Sequence, residues 1–567
     1  MRSKKSSVLL VVVVIATLLL SACAQPTPEV IEKEVTKEVE KVVTEVVEKE
    51  VEVTKEVEVT KEIEKIVYAT PTPKPVPEEP VHGGTMHITY YQPWGSLDVQ
   101  AKSTGSQEQM IATQVWDRLV RWDPEHNVVP ELAESWEISD DNVTYTFHLR
   151  EGVMFHNGEE VTADDVVYSL ERMSDPEVST WADLLKVLDT VEAVDDYTVQ
   201  VTTSEVYAPF LDMLAYYNAA IYPQDHVPSA ENGYIGSGPF MIESTVFQEE
   251  VVLVRNPDYW GAGEENLPYL DEVVINRISD PMARTGSLLS GQSDLVYSVA
   301  DASRDTLDAN PDFTFFPGWV HHKGIALSTY NVEAFADPLV REAISVAIDR
   351  QALVDVVLEG VGYPILGDPE PPHMWSYYDK QFLPAQGDLD QAQALLEEAG
   401  YGDGFSFSLG TYGEWAADVK AAELIQARLA EIGLEVDIEF IDPGIWVDKV
   451  YNGEIEAVFQ GLGYRTPDLD FRQSVHPTQA VVHNIWENDT IAQLIDDAAT
   501  TMDREERKKL YHDLVEALYA HGEDTYTVYL ELWRSPLDIC LNTARVQGFY
   551  ADGSGALSSL EQMWLVE

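Results

Sequence analysis

FSFSLGTYGEWAADVKAAELIQARLAEIGLEVDIEF, residues 405–440, decides the fold. FSFSLG (405–410) reads as a strand, and AADVKAAELIQARLAEIG (416–433) as a helix closed by Gly433, where a left-handed residue is wanted. LEVDIEF (434–440) alternates strictly and reads as a second strand. Downstream, GIWVDKVYNG (444–453) reads as a short helix and EAVFQG (456–461) as a third strand. Strand, helix, strand, helix, strand at this spacing predicts parallel pairing through right-handed crossovers. In such sheets ligands bind beyond the carboxyl ends of the strands. Three loops should therefore converge on one edge, bringing Thr411, Tyr412 and Trp415, then Asp442 and Trp446, then Tyr464 and Arg465. The last loop, GLGYRTPD (461–468), sets a fixed cation beside glycines that let a backbone approach closely.

The same alternation of strands and helices runs outward from there. Tyr145, Phe147 and Leu149 share one face of a predicted strand over 144–149. Thr162 and Asp165 form a capping box for a helix with the apolar stripe Val166, Val167, Leu170, Met173. Asp337 and Pro338 open a further helix that is predicted to run through VREAISVAIDR.

With 45% hydrophobic and 10% aromatic residues in 567, the composition is that of a globular chain long enough for several cores. The formal net charge is −63, nearly all of it in residues 81–567. So acidic a body excludes nucleic acid and anionic membrane surfaces as its partners, and the charge reads as a solvating coat.

The first 23 residues have a basic start (Arg2, Lys4, Lys5), an apolar run from Val8 to Leu20 and small residues before Cys23. This is an export signal, too short for a comfortable membrane span. Residues 29–67 are a low-complexity stretch of Val, Glu, Lys and Thr with VTKEVE at 35 and 53. Val39, Val46, Val53 and Val67 keep a seven-residue spacing while Lys49 and Glu56 interrupt the companion row, so a monomeric stalk and a coiled-coil, stalk-mediated oligomer both stay open. ATPTPKPVPEEP is a stiff, extended spacer. Cys540 has no partner other than Cys23 in the sequence and reads as a buried small hydrophobe.

PELAESWEISDDNVTYTFHLREGVMFHNGEEVTADDVVYSLERM (130–173) resembles the signature region of the family 5 extracellular solute-binding proteins of ABC transporters. GSGPFMI at 236, RNPDYWG at 255, FADPLVREAISVAIDR at 335 and LDQAQALLEEAGYGDGF at 389 match in order. The resemblance implies a two-lobed α/β fold of the periplasmic-binding-protein type (class II), closing on a solute at a hinge and presenting it to a membrane permease, with no cofactor and no catalysis. It implies one lobe from 82–322 and 535–567, a second over 323–534, and hinge crossings near His321–Thr329 and Leu532–Asp538. Leu20–Cys23 resembles a bacterial lipobox, which implies cleavage after residue 22, lipidation of Cys23, and an extracytoplasmic body tethered to the cell membrane through residues 23–81.

In peptide-binding members of the family, the loop after the corresponding strand carries a tryptophan and then an aspartate that accepts the peptide's amino terminus. Those positions here hold Leu462 and Arg465, and a guanidinium repels an ammonium. The expected solute is therefore an oligosaccharide in preference to a peptide, read by Arg465, Tyr464, Tyr412, Asp468 and the tryptophans Trp94, Trp319, Trp415 and Trp446. A metal-chelate ligand is the lesser alternative, because His321 and His322, adjacent on a strand, point to opposite faces. His156, Glu159, Glu160, Asp164 and Asp165 read as turn and cap residues. No HExxH, GxSxG or phosphate-loop motif occurs, which leaves a hydrolase without a recognisable nucleophile and base.

Overall fold

The computed structural model describes residues 80–567 except 102–105, 264–266, 373, 413–415, 443–444, 447–448, 451, 464–465, 478–485, 551–559 and 567. At 106, 301, 317–321, 412, 416, 463 and 535–538 the backbone alone is described. The expected signal peptide, the Cys23 anchor and the stalk lie outside the described residues, as do Trp415, Tyr464 and Arg465 and the side chains of Trp319 and Tyr412.

One eleven-stranded sheet organises the described chain. In chain order its main path comprises β1 (Thr85–Tyr90), β2 (Phe240–Val246), β3 (Glu250–Arg255), β4 (Glu272–Arg277), β5 (Leu295–Tyr297), β6 (Phe313–Leu327), β7 (Ser406–Tyr412), β8 (Glu435–Ile441), β9 (Ala457–Gly463) and β10 (Tyr529–Asn542). Their spatial order is β8-β7-β9-β6-β10-β5-β1-β4-β3-β2. The predicted parallel unit is present: β7 pairs in parallel with both β8 and β9. In the other half β1 pairs in parallel with β4 and β5. Between the halves run two long antiparallel strands, β6 of 15 residues and β10 of 14, hydrogen-bonded to each other.

Two large apolar clusters flank this crossing. One is built mainly from Met86 to Tyr297 and Ile539 to Met563, the other from Ile325 to Trp533. The molecule is thus a two-lobed α/β protein, with β6 and β10 as the connection. Cys540 is fully buried in a small third cluster with Leu288, Val296, Val299 and Leu307, as expected of a small hydrophobe.

Local signals were obeyed where the chemistry is local. Strand Thr144–Leu149 buries Tyr145, Phe147 and Leu149. Helix α1 (Ala163–Ser174) starts at the Thr162–Asp165 capping box. Asp337 caps α2 (Pro338–Ala347) by accepting from Leu339 N. The expected continuation to Arg350 does not occur: Ile348 is extended, and Asp349 caps a second helix, α3 (Arg350–Val357), by accepting from Ala352 N. The break lets the Arg350 guanidinium turn back to Ser345 O at 2.7 Å and across to Glu531 O at 2.7 Å. Helix α4 (Ala416–Ala430) joins β7 to β8, and Gly433 takes the left-handed φ of +80°. Three further helices, α5 (Pro467–Val475), α6 (Asp489–Thr500) and α7 (Arg504–Leu518), lie between β9 and β10.

A cavity of about 220 Å³ opens in the first lobe beneath the family signature, lined by Asp117, Arg118, Arg121, Glu131, Trp260 and Glu561 among others. Arg118 forks onto Glu131 at 2.8 and 2.9 Å. Asp117 accepts from Ser237 Oγ at 2.8 Å and Trp260 Nε1 at 2.7 Å. Burial, then the charge of Glu131, pushes the Asp117 carboxyl up to about 7. Burial likewise raises Glu561 to about 7, with Arg121 opposing. Both groups hold protons in the folded chain at pH values where the unfolded chain has lost them, so their contribution grows as pH falls through 7 and is lost as pH rises. Burial raises Asp368 to about 7 as well, so unfolding in urea should show the protein about 2 kcal/mol more stable at pH 6.5 than at pH 8. Below pH 6.5 the rise should continue, less steeply than the carboxyls alone would give, because burial holds His156 neutral down to about 4 while the unfolded chain takes up that proton. Asp117→Asn should remove about a third of the rise, and a midpoint that is flat between pH 8 and 6.5 would contradict the assignment.

Candidate functional site

Strand direction places the site. β10 is antiparallel to β5 and to β6, so β1, β4, β5 and β6 all run the same way, toward the second lobe. β9 is antiparallel to β6, so β7, β8 and β9 run back toward the first lobe. The carboxyl ends of the two parallel groups therefore face each other. Register gives their spacing. Tyr297, the last residue of β5, is level through Ile539 with Phe316, whereas Gly463, the last residue of β9, is level with His321. Only residues 317–320 separate the two levels, and there the β6–β10 register shifts between Pro317 and Val320. The carboxyl ends of β1 and β5 and those of β7, β8 and β9 thus face one gap beside a bulge in the crossing strands.

The floor on the second-lobe side is charged and dehydrated. Lys323 Nζ lies 2.9 Å from Asp418 Oδ2. Burial lowers the lysine's pKa and raises the aspartate's, while each partner's charge opposes its shift. A Cβ on Gly461 would stand 2.9 Å from Lys323 Cε, so this glycine makes room for the lysine stem. The expectation that it admits a ligand's approach is corrected accordingly. His322, fully buried, places Nδ1 2.8 Å from Glu531 Oε2. Among the described residues no group of three metal-ligating side chains occurs.

The expected aromatic readers are placed differently. Trp94 follows β1 as the topology requires, but it is 3% exposed and packs in the first cluster, edge-on to Phe247 at 6.3 Å. Trp446 is 5% exposed in the second cluster. Large indoles fill cores as readily as they line ligands, and both are corrected here to core residues. Asp468, expected to touch the solute, is committed elsewhere: Arg472 Nε donates to its two oxygens at 3.0 and 2.9 Å, and the Tyr207 hydroxyl donates at 2.7 Å. Nothing in the sequence near 468 pointed to Tyr207, which lies 261 residues away. The cap cluster behaves as predicted. Gly236 N donates to His156 Nδ1 at 3.2 Å, Gly152 N to Glu160 Oε1 at 2.9 Å, and Asp165 holds Thr162.

Two lobes joined by a pair of strands, with facing carboxyl ends at the crossing, define a protein that encloses a small guest between its halves. Residues 127–478 match the family described as "Bacterial extracellular solute-binding proteins, family 5 Middle", and the chain belongs to that family. It is 28% identical over 499 residues to Di/tripeptide-binding protein 1 of Pseudomonas aeruginosa, covering 80% of this chain and 91% of the relative. It is 30% identical over 458 residues to Heme-binding protein A of Haemophilus influenzae, covering 72% and 80%. Among solved structures it is similar to the periplasmic binding protein DppA of Helicobacter pylori in complex with the peptide STSA. That match has a TM-score of 0.72 at 27% identity and covers 86% of this chain and 99% of the other.

Proposed function

We propose that this family 5 receptor captures a short peptide or peptide-like solute and hands it to the permease of an ABC importer. The observation that carries the reading is the match along 91% of a di/tripeptide-binding relative, together with the gap between facing strand ends. The oligosaccharide preference drawn from Leu462 and Arg465 loses its support, since the relatives above are named for peptides and haem. An arginine at 465 fits the carboxylate end of a peptide, which guanidinium pairs with in a planar fork. We place the lobe boundaries at 322/323 and 534/535, within β6 and β10. Residues 1–22 direct export, and Cys23 carries the lipid that tethers the body through the stalk. The chain binds and releases without chemistry, so its activity is a difference in affinity between open and closed forms.

The test is thermal unfolding of the full-length chain with dipeptides, tripeptides, glutathione, haem and oligosaccharides. A peptide present at a hundred times its dissociation constant should add about 2.7 kcal/mol of stability. Arg465→Ala should weaken the peptide that wins by roughly tenfold, the lower end for a charge-assisted pair. Stabilisation by an oligosaccharide and by no peptide would overturn the reading.

A further inference from the structure

We infer that the hydrogen bond from Tyr207 to Asp468 is the catch that holds the closed form, so that these two residues set how tightly the receptor grips any solute in its gap. The inference rests on the receptor reading above only for its consequence, closure around a solute; the contact itself is independent of which solute is taken.

Tyr207 belongs to the first lobe and Asp468 to the first turn of α5 in the second, and both are buried. The bonds that Asp468 accepts differ in what must break when the lobes part. Arg472 lies one turn along α5 from Asp468, gripping it and reaching Asp496 Oδ1 at 2.9 Å, so the ion pair stays whole in either state. The phenol's bond, by contrast, crosses between lobes. Around it the interface is continuous: Ala208 N donates to Ala499 O at 2.6 Å, and Arg504 Nη1 to Asn127 Oδ1 at 2.6 Å. The side chains of Leu469 and Ala499, from α5 and α6, join the first lobe's apolar cluster. A hydroxyl donating to a dehydrated carboxylate makes a charge-assisted bond, stronger than a neutral one. In the open form water replaces that partner for both groups. The net gain for closing is therefore roughly tenfold or more in the closed-to-open ratio. Since apparent affinity scales with the competent fraction, weakening the catch loosens every solute alike.

The experiment places spin labels at Val194→Cys and Val356→Cys, 60% and 42% exposed, in the full-length chain carrying Cys23→Ser, and measures their distance distribution without solute. With Tyr207 present, a population at the closed-form distance is expected. Tyr207→Phe, which removes one oxygen and keeps the ring, should lower the closed-to-open ratio by about tenfold or more, with the circular dichroism unchanged. Asn127→Ala should shift it the same way and less. Identical distributions for the parent and the Tyr207→Phe variant, whether both short or both long, overturn the inference. A protein that opens on Tyr207→Phe yet is stabilised by no peptide keeps the catch and loses the peptide reading.

Discussion

Gly404→Ala should cost about 2–5 kcal/mol, read as a fall in the urea unfolding free energy or as loss of soluble protein. Gly404 has φ +77°, and a Cβ there would stand 1.9 Å from Gly433 O and 2.6 Å from its carbonyl carbon. Both are backbone atoms that no rotamer change can move. Gly433, at φ +80°, is the turn that leads into β8, as Gly404 is the turn that leads into β7. Two left-handed turns touch where two parallel strands begin, and Glu435 N donates to Phe405 O at 2.9 Å beside them. Separating the turns would pull apart the first register pair, Ser406 with Glu435. The left-handed strain contributes about 1–2 kcal/mol and the overpacking about 1–3 kcal/mol. Gly360→Ala separates the two contributions, since Gly360 shares the positive φ, +82°, with nothing within 4 Å of the added carbon. It should cost only the strain. Equal losses at the two sites would show that the contact with Gly433 is relieved at no cost.

Arg350→Met should destabilise the protein by about 3 kcal/mol or more. The guanidinium is fully buried and donates to Glu531 O, Ser345 O and Ser345 Oγ at 2.7, 2.7 and 3.1 Å. Burial lowers its pKa, and the nearby charge of Glu531 is among the groups that oppose the shift. Methionine fills most of the volume but leaves those acceptors dry and unmatched, at about 1–3 kcal/mol each where no rearrangement rescues them. Arg350→Lys should recover part of the loss by supplying one or two donors. A methionine variant as stable as the parent would mean that the Ile348–Asp349 break, not the guanidinium, holds α2 and α3 against β10.

What the sequence made legible was the chemistry of near neighbours. Alternation in 434–440 and 144–149, the caps at Thr162 and Asp337, and the closing Gly433 are all contained within a few residues. The direction of β7, β8 and β9 followed from spacing alone. Even the break after Ala347 had a local sign in Asp349, whose carboxylate caps α3. The site was less legible because its determinants are distant in the chain. Whether Trp94 and Trp446 face a solute or a core depends on what packs over them, and their residue type suits both. Asp468 was readable as an exposed loop carboxylate only so long as Tyr207 was unknown. Gly461, an opening for a ligand in the sequence, is an opening for Lys323 in the structure.

The position of β10 bears on how the molecule is made. β5 and β6 follow one another in the chain, yet in the sheet they are not neighbours: β10, which starts at Tyr529, lies between them. A nascent polypeptide emerging from the ribosome therefore carries an unfilled slot through the middle of its sheet until nearly everything has been translated, and neither half can finish alone. Closing so distant a pairing late is slow.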